Sequence, residues 1–268
     1  MVSRRPRIQR DRIPLPLLVP AVVAIAFFVL PLLGLLVRSP WPEAWQELRD
    51  PQTLDAVRLS IFASLTSTAV AIALGVPLAW LYARTSFPGR SLLRALTTLP
   101  MVLPPVVGGI ALLLAFGRNG LLGAWLEAAF GISLPFTPAA VVMAETFVAM
   151  PLLVLTVESG LRSMDGRLED AARTLGASRW TVFRRVTLPL VAPSVAAGAV
   201  LCWARALGEF GATITFAGNF PGQTQTMPLD IYIALQTNPG ASFILSLTML
   251  AISIVVLIGL GRRWLTPA

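Results

Sequence analysis

The residues best placed to do chemistry in this sequence are two charges inside an apolar stretch. Arg205 and Glu209 stand in the run Arg205-Ala206-Leu207-Gly208-Glu209-Phe210-Gly211. Spaced i, i+4, they share one helix face and can pair. A charge at the centre of a membrane helix costs about 2.5–3.5 kcal/mol on insertion scales, so two of them need a reason to persist. Two reasons are open. The pair neutralises itself and locks helix packing, or Arg205 faces a polar vestibule and attracts an anion. Thr213 and Thr215 follow closely, with Thr224 and Thr226 further on. Their hydroxyls are candidate donors to such an anion, or the ordinary polar groups of a wet loop.

Other chemistry is excluded by residue type. The phosphate-binding loop of P-loop ATPases needs a lysine after its glycines to reach the nucleotide phosphates. Every basic residue here is arginine, so ATP hydrolysis linked to this chain must reside in another polypeptide. Histidine is absent, which removes imidazole proton relays and histidine metal ligation. The single cysteine, Cys202, cannot form an intrachain disulfide and reads as a small buried hydrophobe. No catalytic, cofactor or metal site is expected in this chain.

The elements that must hold the pair are membrane helices. Of 268 residues, 56% are hydrophobic and 13% charged, where a soluble domain has about 45–50% and 25%. Apolar runs of about 20 residues match the thickness of a bilayer. Six spans are expected at 15–37, 57–83, 92–116, 138–161, 190–214 and 241–261, within one transmembrane domain covering 1–268. Inside these spans the charges are Arg58, Glu145, Glu158, Arg205 and Glu209, with Arg94 near the start of the third. Ser3-Arg4-Arg5 has the look of a twin-arginine export signal, but the apolar stretch after it exceeds a signal-peptide core and more spans follow.

Arginine placement gives the orientation. The N-terminal tail carries Arg4, Arg5, Arg7, Arg10 and Arg12. The second connection has Arg84, Arg90 and Arg94, and the fourth has Arg162, Arg167, Arg173, Arg179, Arg184 and Arg185. Arg262 and Arg263 close the chain. The other side has Arg38, Arg49, Arg58 and Arg118, beside Glu43, Glu47, Asp50, Asp55, Glu127 and Asp230. Cytoplasmic connections are enriched in arginine, so both termini are expected in the cytoplasm. This explains the net charge of +8 without nucleic acid. Arg205 then lies about 20 Å from the inner end of its span, in the outer half. The fifth connection pairs a Gly218-Asn219-Phe220-Pro221-Gly222 turn with a short apolar stretch, Met227 to Leu235, that re-enters or lies at the interface.

The connection 163–189 has structure of its own. Leu168, Ala171, Ala172 and Leu175 fall at i, i+3, i+4 and i+7, one apolar face of a helix. Asp165 is placed as its N-cap and Gly176 as its stop. Ser178 caps a second short helix with Trp180, Phe183 and Thr187 on one side, and Pro189 opens the next span. Two short amphipathic helices joined at a glycine form either a hairpin on the lipid surface or a docking site for a cytoplasmic partner.

This segment resembles the cytoplasmic loop of ABC importer permeases, written EAA, three residues, G, nine residues, then an aliphatic residue, any residue, Leu-Pro. Asp170-Ala171-Ala172 fills the triplet, Gly176 the glycine and Val186-Thr187-Leu188-Pro189 the end. Asp170 departs from the usual glutamate but keeps the carboxylate. The run from Arg205 to Asn219, with Phe220-Pro221-Gly222-Gln223-Thr224-Gln225-Thr226-Met227-Pro228-Leu229, Pro77-Leu78-Ala79-Trp80, Leu103-Pro104-Pro105 and Phe116-Gly117-Arg118-Asn119-Gly120, is similar to molybdate permeases and, more loosely, to sulfate and thiosulfate permeases. The likeness covers roughly residues 58–262. Gln223 to Pro228 tilts it toward molybdate over sulfate.

The resemblance implies an all-α integral membrane protein with six transmembrane helices and type I ABC importer permease architecture, in a bacterial or archaeal cytoplasmic membrane. It implies a homodimer, two ATPase subunits that use ATP-Mg, and an extracytoplasmic molybdate-binding protein. Asp170, Ala171, Ala172, Gly176, Trp180, Phe183, Leu188 and Pro189 would couple to the ATPase; Arg205, Glu209, Thr213 and Thr215 would line the pathway. Sulfate, thiosulfate or tungstate transport is the alternative. A secondary anion transporter is more distant, since such proteins often carry internal repeats and none is visible here. A membrane scaffold leaves the fixed-gap loop unexplained.

Overall fold

Proline and small residues organise the helices of this chain, for which a computed structural model describes residues 15–264. The tail arginines Arg4, Arg5, Arg7, Arg10 and Arg12, and the Ser3-Arg4-Arg5 run, lie outside the described residues. α1 (Leu15–Arg38) is apolar up to its terminal Arg38, and from Pro16 on its side chains are exposed, with Ala26 and Leu35 partly so. α2 (Pro51–Arg84) opens on Pro51, where the missing N–H costs nothing, and Asp50 caps it by accepting the N–H of Thr53 at 3.2 Å. At 34 residues it is about 51 Å long.

The expected span 92–116 is not one straight helix. α3 (Arg90–Thr98) leads through a short turn to α4 (Pro105–Phe116), and the two are bent by 118°. The cause is Pro104-Pro105: neither nitrogen can donate, and a residue before proline is pushed out of the helical region. α5 (Gly123–Phe130) follows, then α6 (Pro138–Ser163), capped by Thr137 on the N–H of Ala140. α7 (Arg167–Thr174) and α8 (Arg179–Val182) form the 163–189 connection. A π turn over Phe183–Thr187 carries α8 directly into α9 (Leu188–Leu207).

The expected span 190–214 also breaks. α9 stops at Gly208, and a separate helix, α10 (Gly211–Phe216), begins after it. α11 (Met227–Thr237) and α12 (Pro239–Trp264) complete the described residues. Among the described residues, five helices are long and apolar enough to cross a membrane, and α3 with α4 makes the sixth as a bent pair.

The core sits where α2, α6 and α9 meet. α2 turns a face of small residues inward, Ala63, Ser64, Ser67, Ala71 and Gly75 among them, which lets helix backbones approach closely. Tyr82 of α2, Leu153, Val157 and Leu161 of α6, and Val191, Cys202 and Ala206 of α9 close the cluster. A second cluster joins α6 to α4 and α10 through Val141, Ala144, Leu112, Ala212 and Phe216. α11 is tied to α2 by the Met227 N–H, which donates to Ser60 Oγ at 2.7 Å.

Candidate functional site

Two assemblies at opposite ends of the central bundle carry the residues singled out in the sequence. The first is the 163–189 connection. Gly166, rather than Asp165, occupies the cap position of α7; Asp165 acts one residue earlier, its Oδ1 accepting the N–H of Arg167 at 3.0 Å. Gly176 ends the helix with φ +82°. The Ala177 N–H donates to Ala172 O at 3.1 Å and the Gly176 N–H to Arg173 O at 2.9 Å, the paired bonds of a Schellman stop that needs a left-handed residue. Ser178 Oγ accepts the N–H of Thr181 and so starts α8.

The outward surface of this connection sets apolar and aromatic side chains among exposed arginines, Arg167, Arg173, Arg179, Arg184 and Arg185. Leu168 and Leu175, read as a helix face, are 49% and 89% exposed. Asp170, Ala171, Gly176, Trp180, Leu188 and Pro189 are exposed, and Ala172 and Phe183 partly so. Asp170 makes only a surface pair with Arg173 at 3.3 Å. Trp180 stacks on Phe183 at 5.7 Å, and Phe183 meets Trp80 edge-on at 6.4 Å. With Pro77 and Arg179 these rings line a cavity of about 330 Å³. The three-residue face expected from Trp180, Phe183 and Thr187 splits. The π turn rotates Thr187 inward, where it is buried.

Sequence reasoning missed the residue that holds α7 down. Glu169 is the buried side chain of this helix. Its Oε1 accepts the Thr187 hydroxyl at 2.6 Å, and its Oε2 lies 3.5 Å from Arg84 Nη2 at the end of α2. Only its place beside Leu168 hinted at this, and apolar periodicity assigned that side to Leu168.

The second assembly surrounds the Arg205–Glu209 pair. The two meet at 2.6 Å between Arg205 Nη1 and Glu209 Oε2. Glu209 lies past the end of α9, not on its face, and its Oε1 accepts the N–H of Ala212 at 2.8 Å. One carboxylate therefore neutralises the arginine and caps the first turn of α10. Thr213 is fully buried, and its hydroxyl has no partner among the described residues. Thr215 spends its hydroxyl on Gly211 O of its own helix at 2.8 Å. Thr224 Oγ1 accepts the N–H of Phe220 at 3.0 Å, inside the turn. Thr226 is buried, and its hydroxyl has no partner among the described residues. Glu145 of α6 is also buried, with its Oε2 unpaired among the described residues; in the sequence it stood out only as a charge inside a span.

The chain as a whole has similar relatives. Residues 71–268 match the family described as binding-protein-dependent transport system inner membrane component. The chain is 48% identical over 244 residues to the molybdenum transport system permease protein ModB of Mycobacterium tuberculosis, covering 91% of this chain and 92% of that one. It is 43% identical over 218 residues to the ModB of Escherichia coli K12, covering 81% and 95%. The sulfate transport system permease protein CysT of Escherichia coli K12 is 37% identical over 228 residues, covering 84% and 82%. In fold, the chain superimposes on a bacterial ABC transporter that imports alginate with a TM-score of 0.74 at 15% identity, covering 92% of this chain and 93% of that one. This chain belongs to the binding-protein-dependent transport system inner membrane component family.

Proposed function

We propose that this chain is the membrane-spanning permease subunit of an ATP-driven importer that carries molybdate into the cytoplasm. The observation that carries the reading is the 48% identity to a molybdenum permease over nearly the whole chain, against 37% to a sulfate permease. The chain would work as a homodimer in a bacterial or archaeal cytoplasmic membrane, with both termini in the cytoplasm. Two ATPase subunits would seat on the exposed face of α7 and α8, and an extracytoplasmic binding protein would deliver the anion at the opposite end. ATP and magnesium belong to the ATPase subunits, consistent with a permease that contains no lysine for a phosphate loop.

The chain's own task is then mechanical. Closure of the ATPases would pull α7 and α8, and the bundle of α2, α6 and α9 would carry that movement to the pathway. Arg205, one third exposed, would draw the dianion toward the pathway, with Glu209, Thr213 and Thr215 around it.

The test is uptake of radiolabelled molybdate by cells expressing this chain with its ATPase and binding protein, with and without excess sulfate. Uptake that needs ATP and resists sulfate supports the reading. Uptake abolished by sulfate moves the assignment to the sulfate branch. Uptake that survives ATP depletion and collapses with the proton gradient replaces it with a secondary transporter. Parallel competition with tungstate measures how far two near-isosteric dianions are separated.

A further inference from the structure

The geometry points to Glu169 as the positioning residue that transmits movement of the loop helix α7 into the transmembrane bundle, through Thr187 on one side and Arg84 on the other. The inference rests on the importer reading above and adds to it the internal joint by which the loop acts.

Three observations carry it. First, Leu168 and Ala171 of α7 are exposed and Ala172 partly so, while the residue the helix buries is a carboxylate. A buried carboxylate is costly unless its oxygens are paired. Here one oxygen takes the Thr187 hydroxyl at 2.6 Å and the other faces the Arg84 guanidinium at 3.5 Å. Second, the two partners sit at mechanically decisive points. Thr187 is the last residue of the π turn that runs unbroken into α9, and Arg84 is the last residue of α2. Third, the end of α2 is itself braced. Two residues before Arg84, the Tyr82 hydroxyl meets Thr97 Oγ1 of α3 at 2.8 Å. The Tyr82 carbonyl accepts from Arg162 of α6 at 3.4 Å. Arg162 and Arg94 converge on buried Glu158, at 2.7 and 3.0 Å.

Displacement of α7 therefore loads α9 through Thr187, and loads α2, α3 and α6 through Arg84 and its neighbours. An apolar contact in the same place would let α7 slide. A short hydrogen bond combined with an ion pair has direction and fixes the register of the helix.

The experiment uses the complete transporter, with permease, ATPase and binding protein, reconstituted in liposomes. Both molybdate uptake and ATP hydrolysis are measured. Glu169→Gln keeps an acceptor for Thr187 and removes the charge; Glu169→Ala removes both arms; Thr187→Val and Arg84→Gln remove one each. The expected result is that the ATPase still co-purifies and still hydrolyses ATP, while molybdate moved per ATP falls by about tenfold in Glu169→Ala, the order of losing a hydrogen bond to a charged group. The single-arm variants should fall between. Should Glu169→Ala fail to fold, Thr187→Val and Arg84→Gln carry the test alone. Transport and hydrolysis falling together, both remaining normal, or the ATPase no longer co-purifying would each overturn the role. If the wild-type complex shows no ATP-dependent molybdate uptake, the importer reading itself has failed, and that control separates the two failures.

Discussion

Glu209 closes on Arg205 from beyond the end of α9, with 2.6 Å between them, while its second oxygen holds the Ala212 N–H. The acid is 1% exposed and the arginine side chain 34%. Glu209 is thus doubly committed to structure, whereas the arginine retains access to the surroundings. This asymmetry separates the two roles open for the pair.

Removing the arginine should hurt more than removing the acid's charge. Arg205→Gln leaves a buried carboxylate without its cation and should cost about 2–4 kcal/mol; breaking a fully buried pair costs more, but this arginine is partly solvated. Glu209→Gln keeps an acceptor for Ala212 and should cost about 1 kcal/mol. Thermal unfolding in detergent reads the order. Uptake per folded molecule then decides function: a loss in Arg205→Gln that Arg205→Lys restores marks anion attraction. Unchanged uptake per folded molecule in Arg205→Gln leaves a packing role alone.

Much of this architecture was legible beforehand, for specific reasons. A bilayer demands long apolar runs, so the helices now seen at Leu15–Arg38, Pro51–Arg84 and Pro138–Ser163 announced themselves by length. Gly176 and Ser178 were legible because stop and start chemistry is local. Hydropathy continues through the breaks at Pro104-Pro105 and Gly208 and averages out a change of direction, so it does not register them. The burial of Glu169 was not legible at all. Periodicity finds an apolar face, but which face turns inward depends on Arg84 and Thr187, which lie far from it in sequence.

Gly176 should tolerate substitution according to backbone conformation rather than space. Its φ is +82°, and a Cβ there would meet nothing within 4 Å. Gly176→Ala should therefore cost about 1–2 kcal/mol locally, Gly176→Asn less, and Gly176→Val more, since a β-branched residue resists the left-handed region. Because α7 and α8 join at this residue and the proposed ATPase contact lies on them, the readout is the amount of ATPase that co-purifies with the permease. Retention in the order Gly, Asn, Ala, Val supports the account. Equal retention in all four would show that the left-handed stop does not set the angle of the proposed docking face.

Gly109 should be intolerant for the opposite reason. A Cβ there would come within 2.7 Å of Thr215 Cβ and 2.8 Å of Ala212 O, and the backbone of α10 has no easy way to retreat. Gly109→Ala should cost about 1–3 kcal/mol, the usual range for overpacking. The adjacent Gly108→Ala is the control, because its Cβ would meet only the Phe147 ring edge at 3.3 Å. Equal unfolding temperatures for the two variants would contradict the close α4–α10 approach.

The last prediction concerns pH at the end of the molecule opposite the 163–189 connection. Asp230 of α11 is buried, and burial pushes its carboxyl above the ordinary value of 3.8. The nearby acids Asp50 and Glu47 push the same way, while the Gln52 amide, donating to its Oδ1 at 3.2 Å, opposes them. Gln52 also donates to Gln225 at 3.0 Å, so the cluster pins the loop before α11 to the start of α2. A carboxyl raised in the folded state holds its proton over a range where the unfolded chain has released it. The stability this contributes is complete below the unfolded value and is lost as pH climbs through the folded one. The contribution of Asp230 to the unfolding temperature should therefore decline as pH rises above about 4. Asp230→Asn, which keeps the acceptor for Gln52 and cannot ionise, should show a shallower decline and a higher unfolding temperature at neutral pH. The comparison needs parallel melts of the two proteins in the same detergent, and identical slopes would mean that Asp230 ionises in the folded protein as readily as in the unfolded chain.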